Sequence, residues 1–221
     1  MTDATARDRI LQRVKTAGTH QIDVPEAPAP ASGGPLDRKA KTERLTTLMA
    51  AMRTEVHVVA ADAWVDALKG LARAKGWKQL LYGPGAPLGA AIEAAWSAES
   101  DGLPKLVGYR EPVETFKESL FQIDAGVTGA RGGLADTGAV VLWPTAQEPR
   151  LLSLVPGVHV AVLDADTIYD SLADMMAAEN WAAGMPANAL IISGPSKTAD
   201  IEFTLVFGVH GPKELILLIR Q

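Results

Sequence analysis

Apolar residues beyond position 55 fall into short blocks separated by longer stretches in which they recur at helical spacing. Val56 to Ala60 (VHVVA), Gln79 to Tyr82 (QLLY), Lys105 to Tyr109 (KLVGY), Ala139 to Trp143 (AVVLW), His159 to Leu163 (HVAVL), Leu190 to Ser193 and Leu215 to Ile219 read as about seven strands. Between them, a segment capped by Asp62 and running through Ala74, then Pro87 to Ala98, Glu111 to Leu120 and Asp166 to Ala178, read as helices. Strand alternating with helix predicts a parallel sheet, doubly wound, with helices on both faces.

Upstream, Leu45, Leu48, Met49 and Met52 form one stripe of a helix between Leu36 and Arg53. Ile10, Leu11 and Val14 give Ala4 to Ala17 the pattern of a short amphipathic helix. Gly18 to Pro35 carries Pro25, Pro28, Pro30 and Pro35, which deny both helix and inner strand, so it reads as a linker or arm. The expected organisation is therefore an arm over residues 1–36 and an α/β domain over residues 37–221.

Two stretches break the alternation. Ala125 to Gly138 holds five glycines in 14 residues, which implies bends or close backbone approach ahead of the Ala139 strand. After Leu190 to Ser193, the chain passes Gly194-Pro195 into the hydroxyl-rich Ser196-Lys197-Thr198, which predicts a loop and a short helix capped by Ser196 or Thr198. A helix start in that place aims unpaired N–H groups and the positive end of the helix dipole at a guest, which favours a carboxylate or phosphate.

The 221 residues suffice for one sizeable core, and 48% hydrophobic with 21% charged residues is an ordinary globular composition. A formal charge of −5 without a long basic run argues against a nucleic-acid surface. The absence of cysteine removes disulfides, thiol catalysis and Cys-ligated metal or iron–sulfur clusters from this chain. No apolar run approaches the roughly 20 residues of a membrane helix, and the charged start lacks a signal-peptide core, so the expectation is a soluble cytoplasmic protein.

Ligands of open parallel sheets bind beyond the carboxyl ends of strands, which directs attention to three loops. Gly83 to Gly89 offers glycines but misses the dinucleotide spacing, and its two prolines remove donors, so a plain turn suffices for it. In the glycine-rich stretch, Arg131 suits a carboxylate, with Thr137 and the Gly138 amide on the same ligand; a structural hairpin is the alternative. In the third, Gly194, Ser196, Lys197 and Thr198 are candidate anion contacts, and Asp200 is either a capping or a catalytic group. It is not a P-loop, because glycine is missing where Ser196 and Ile191 stand.

His210, between Gly208 and Gly211 and ahead of Pro212, is the candidate acid or base. His57 and His159 sit at alternating places in strands and His20 lies in the arm. No H-E-x-x-H pair supports a metal site, and no G-x-S-x-G elbow supports a serine hydrolase.

Gly194-Pro195-Ser196-Lys197-Thr198-Ala199-Asp200-Ile201-Glu202 with Val209-His210-Gly211-Pro212, preceded by Ala135-Asp136-Thr137-Gly138, resembles the lactate utilisation protein C family, also called the LUD domain. The resemblance is densest from about Val127 to the last residue and looser from Lys39. It implies a three-layer α/β/α fold with a mostly parallel sheet, similar to the ribose-5-phosphate isomerase and CoA-transferase group. It also implies a part in oxidising L-lactate to pyruvate beside two iron–sulfur partner proteins, which would carry the clusters that this cysteine-free chain does not. Where the family commonly shows Glu-Thr-Gly-Thr, this chain has Asp136-Thr137-Gly138-Ala139, keeping the carboxylate and losing a hydroxyl.

Three functions follow as expectations: a lactate-oxidising subunit that binds a small carboxylate, a non-catalytic scaffold for the iron–sulfur subunits, or a stand-alone enzyme on a CoA ester or sugar phosphate. In the first, Lys197 supplies charge, the hydroxyls and amides of 194–198 hold the carboxylate, and His210 accepts the proton of the lactate hydroxyl.

Overall fold

The computed structural model describes residues 6–16, 35–110, 116, 119–201 and 204–221. The chain divides into two units, Met1–Gly34 and Pro35–Gln221. Within the first, helix α1 (Ala6–Thr16) buries none of its residues, so Ile10, Leu11 and Val14 are exposed. The linker expected over Gly18 to Pro35 lies, up to Gly34, outside the described residues.

The second unit opens with α2 (Arg38–Ala51), whose N-cap Asp37 accepts a hydrogen bond from the Ala40 amide. There follow β1 (Glu55–Val59), α3 (Trp64–Lys75), β2 (Gln79–Tyr82), α4 (Gly89–Ala98), β3 (Lys105–Gly108) and β4 (Ala125–Gly129). The remaining strands are β5 (Gly132–Leu134), β6 (Ala139–Leu142), β7 (Val158–Asp164), β8 (Ile168–Tyr169), β9 (Leu190–Ile192), β10 (Lys197–Ile201), β11 (Thr204–Phe207) and β12 (Glu214–Arg220). Short helices Leu151–Leu154 and Leu172–Ala178 stand between them. The helix expected over Glu111 to Leu120 lies largely outside the described residues.

Six strands form one sheet in the order β1-β12-β7-β4-β2-β3, every neighbouring pair parallel. Both faces of it are buried, which is why β12 reads as an unbroken apolar run. On one face Val160, Ile216 and Leu218 meet Leu68 of α3 and Ile92 and Trp96 of α4. On the other, Ala161, Leu163, Leu215, Leu217 and Ile219 meet Leu45 and Met49 of α2 together with Ala135, Val140 and Ile168 of a smaller sheet. The result is a three-layer α/β domain.

That smaller sheet corrects the expectation of one doubly wound sheet flanked by helices alone. Its order is β8-β5-β6-β9, and it takes in Ala139–Leu142 and Leu190–Ile192, both expected in the main sheet. The glycine-rich stretch supplies a central parallel strand, β4, and the β5–β6 hairpin. Gly126 is needed there because a Cβ would lie 2.4 Å from the Leu152 carbonyl of the short helix above it.

Three further expectations fail. The helix over Asp166 to Ala178 begins only at Leu172, since Ile168 and Tyr169 pair with Gly133 and Leu134 and Ser171 caps the helix at the Asp174 amide. The helix over Ser196 to Glu202 is instead β10, antiparallel to β11, with β-branched Thr198, Ile201, Thr204 and Val206 suited to a ladder. α3 also starts without help from Asp62: its N-cap is Ala63, with no side-chain bond.

Candidate functional site

The β10–β11 hairpin removes the predicted helix-start anion site but brings its flanking loops together. The Ser196 amide donates to the Pro212 carbonyl at 2.9 Å, and the Gly208 amide to the Ser196 carbonyl at 2.8 Å. The Lys213 amide donates to the Gly157 carbonyl at 2.8 Å, which ties the 208–213 loop to the start of β7. A Cβ on Gly194 would stand 2.7 Å from the Met52 carbonyl, so glycine lets that loop lie on the end of α2.

Beneath these loops is a cavity of about 210 Å³. Its walls are Leu154 and Ser153 of the short helix, Ile192 of β9, the loops Gly194-Pro195-Ser196 and His210-Gly211-Pro212, and His159 and Leu215. The last two are direct neighbours across β7 and β12, each the second residue of its strand. The cavity therefore sits on the amino-terminal half of the parallel sheet, on the face shared with α2 and the smaller sheet. The expectation had been the carboxyl ends; the 208–213 loop precedes β12 instead of following a parallel strand.

His159 is 1% exposed. Its Nε2 lies 2.9 Å from Thr128 Oγ1 of β4, while its Nδ1 has no hydrogen-bond partner. Burial pushes its pKa down from 6.5 to about 4, because the charged imidazolium would lose its water without gaining a counter-charge. At neutral pH the cavity floor is an uncharged imidazole. At the mouth, His210 is exposed, and Thr198 Oγ1 lies 3.2 Å from its Nδ1.

The sequence-predicted residues thus part company. Gly194, Ser196 and His210 line the cavity, and Thr198 reaches it through His210. Lys197 is exposed in β10 and does not line it; among the described residues no Lys or Arg does. Asp200 lies on β10, and its side chain is outside the described residues. Thr137 is exposed and Gly138 buried in the β5–β6 turn, where the Gly138 amide donates to the Leu134 carbonyl at 3.0 Å. Arg131 Nε contacts both carboxylate oxygens of Glu179 at 3.0 Å, and its guanidinium lies 5.1 Å from the Trp143 ring centroid. That cation is already paired.

Two residues escaped the sequence reading. In sequence His159 is one polar position in an alternating strand, yet a parallel strand with helix or sheet on both faces buries every position, so a histidine in one is itself a signal. Glu148 gave no signal at all, lying in the polar run Gln147-Glu148-Pro149-Arg150. In the fold its carboxylate accepts from the Gly129 amide at 3.2 and 3.3 Å, and burial pushes its pKa from 4.5 up to about 7 against that hydrogen bond. It stands at the carboxyl ends of β2 and β4, where a Cβ on Gly83 would be 2.3 Å from the Gln147 carbonyl. From these adjacent strands the chain leaves to opposite faces, α4 on one side and β5 on the other, the crossover at which open α/β sheets present groups to ligands.

Among the described residues no group of three or more His, Asp or Glu is placed to hold a metal, and no helix is long and apolar enough to cross a membrane.

The LUD domain family model matches residues 42–219. An uncharacterized protein of Neisseria meningitidis serogroup B is 36% identical over 219 residues, spanning 97% of this chain and 93% of its own. The Lactate utilization protein C of Halalkalibacterium halodurans is 36% identical over 103 residues, a match that spans 45% of each chain. In three dimensions, a DUF162 family protein from Deinococcus radiodurans superposes with a TM-score of 0.58 at 20% identity, covering 85% of this chain and all of that one. The last likeness is one of fold.

Proposed function

The chain belongs to the LUD domain family, and from that premise we propose that it serves lactate utilisation as a subunit that binds a small carboxylic acid. Support for the process comes from relatives that carry the name Lactate utilization protein C. The oxidation of L-lactate to pyruvate releases two electrons and two protons. Iron–sulfur partner proteins are the acceptors in this proposal, since a chain without cysteine offers no thiolates to a cluster.

The observation that carries the site assignment is the cavity in which Gly194, Ser196 and His210, three residues of the family-like motif, meet a buried imidazole. Its volume of about 210 Å³ suits a three-carbon acid. Leu154, Ile192 and Leu215 offer apolar contact to a methyl group. A carboxylate is best kept at the mouth, where Ser196 and His210 can hydrogen-bond it while it stays near water, because full burial without a cation is costly. Thr198 holds His210 by Nδ1 and leaves Nε2 for the ligand.

Titration of the purified chain with L-lactate, pyruvate and inorganic phosphate by calorimetry tests the assignment. Binding of the two acids, weakened in Ser196→Ala and His210→Ala, is the expected result. Binding of neither acid, with or without the iron–sulfur partners, removes it.

A second reading has one observation in its favour: among the described residues β10 and β11 pair only with each other, and they carry much of the motif. A hairpin of that kind is suited to docking a partner protein. If Thr198→Ala/His210→Ala leaves lactate oxidation by the reconstituted complex intact while surface changes on the hairpin break assembly, the scaffold reading holds.

A further inference from the structure

We infer that Arg53 is the positioning residue of the cavity mouth: through the Phe207 ring it holds the base of the β10–β11 hairpin on the end of α2, and with it Ser196 and His210. This deepens the carboxylate reading of the cavity, on which it rests, by naming what keeps the two mouth residues in place.

The way α2 ends puts the cation there. The Arg53 amide donates to the Ala50 carbonyl at 2.9 Å and the Thr54 amide to the Met49 carbonyl at 3.0 Å, which closes the helix with Arg53 at a φ of +68°. Glycine takes that conformation without strain, and arginine does not. What arginine adds is its side chain, whose guanidinium carbon lies 4.8 Å from the centroid of the Phe207 ring. Its neighbours hold the other side of the hairpin. The Thr54 hydroxyl donates to the Ser193 carbonyl at 3.4 Å, and the Met52 carbonyl is the atom that a Cβ on Gly194 would approach to 2.7 Å. The end of α2 therefore grips both the chain entering the hairpin and the chain leaving it.

From Phe207 the connection to the mouth is short. Phe207 pairs with Lys197 in the ladder, next to Ser196, and the following amide, that of Gly208, donates to the Ser196 carbonyl at 2.8 Å. The Ser196 amide donates to the Pro212 carbonyl at 2.9 Å, and Thr198 Oγ1 lies 3.2 Å from His210 Nδ1. Ser196 and the 208–212 loop are thus tied to the hairpin base. Among the described residues β10 and β11 pair with no other strand, so no ladder fixes that base to the domain. The Lys213 amide anchors the far end of the loop at the Gly157 carbonyl, and on the hairpin side the task falls to the end of α2. Arg53 does not line the cavity, so it acts on a guest through Phe207 and not by contact.

Backbone amide exchange followed by NMR on the full chain reads this contact without any ligand. Arg53→Gln keeps most of the stem and loses the charge; the Ser196 and Gly208 amides should then exchange about three- to fivefold faster, the effect expected of an exposed cation–aromatic pair. Arg53→Lys, which restores a cation, should stay within about twofold of the unsubstituted rate. Phe207→Leu should match Arg53→Gln, and the double variant should be no faster than either alone. Arg53→Gly separates the clasp from helix capping: relieved of the positive φ, it should melt no lower than the unsubstituted protein while showing the same faster exchange.

In calorimetry, L-lactate and pyruvate should bind Arg53→Gln and Phe207→Leu about three- to fivefold more weakly than the unsubstituted protein. The loss in Phe207→Leu, which keeps the charge, distinguishes positioning from attraction of the acid to a nearby cation. Unchanged exchange in Arg53→Gln, or a double variant in which the two effects multiply, overturns the clasp. Acid binding unchanged in Arg53→Gln beside faster exchange overturns its role at the mouth and leaves the carboxylate reading standing. Failure of both acids to bind the unsubstituted protein overturns the carboxylate reading, and the exchange rates alone then decide the clasp.

Discussion

Thr128 Oγ1 and His159 Nε2 meet at 2.9 Å across the adjacent parallel strands β4 and β7, on the face where Ala161, Leu163, Leu215 and Leu217 are packed. The contact links the second half of β4 to the first half of β7 and fixes the ring that floors the cavity.

Removing the hydroxyl tests that link. Thr128→Val keeps shape and β-propensity but leaves a second imidazole nitrogen unpaired, so urea unfolding should show a loss of about 1–3 kcal/mol. Thr128→Ser, which retains the oxygen, should lose less. Equal losses would mean that packing and not the hydrogen bond matters there.

Glu148 and His159 pull stability in opposite directions across acid pH. Glu148 has a folded pKa of about 7 against 4.5, so the folded state holds a proton the unfolded state releases, and stability falls as pH rises through that window. His159 has a folded pKa of about 4 against 6.5, so the unfolded state binds the extra proton, and stability falls as pH drops from 6.5 to 4. Each effect has an upper size on the order of 3 kcal/mol, and they offset in the unsubstituted protein. Glu148→Gln should uncover the histidine's contribution: stability measured by urea at successive pH values should rise more steeply between about pH 4 and 6.5 than before. An unchanged slope would show that Glu148 titrates normally.

Gly138 and Gly76 separate two costs of a side chain at positive φ. Both sit in the left-handed region, at +65° and +66°. A Cβ on Gly138 would fall 2.3 Å from Leu48 Cβ of α2, whereas one on Gly76, beyond α3, meets nothing within 4 Å. Gly76→Ala should therefore cost about 1 kcal/mol of backbone strain, and Gly138→Ala at least about 2–4 kcal/mol, because α2 must also shift. Thermal melts of the two variants give the comparison; similar melting temperatures would contradict the packing of the β5–β6 turn on α2.

Gly194 shapes the cavity mouth more than it supports the core. Gly194→Ala places a methyl group against the Met52 carbonyl and should displace the 194–196 loop. The expected result is acid binding weakened about tenfold by calorimetry, with a stability loss of no more than about 1–3 kcal/mol in urea. Unchanged binding would place the ligand elsewhere.

The sequence by itself determined the parallel sheet and the core of the domain. Gln79–Tyr82 is a strand with the expected bounds, and Glu214–Arg220 and Val158–Asp164 contain the expected apolar runs. Their burial on both faces is written in unbroken hydrophobicity, which any local window reads. Gly194, Ser196 and His210 are marked in the sequence by the motif that carries them, and the fold brings all three to one cavity.

Tertiary structure alone decided the rest. Thr198 and Ile201 suit a helix start or a strand equally, and only Thr204–Phe207 folding back beside them settles the ladder, with the Ser196 carbonyl taken up by Gly208. Glu148 is a polar loop residue until the carboxyl ends of β2 and β4 close around it, and His159 is one more strand position until Thr128 takes one of its nitrogens and leaves the other unpartnered. Pairing and desolvation join residues far apart in the chain, so they fix the chemistry of a site without leaving a local pattern in the sequence.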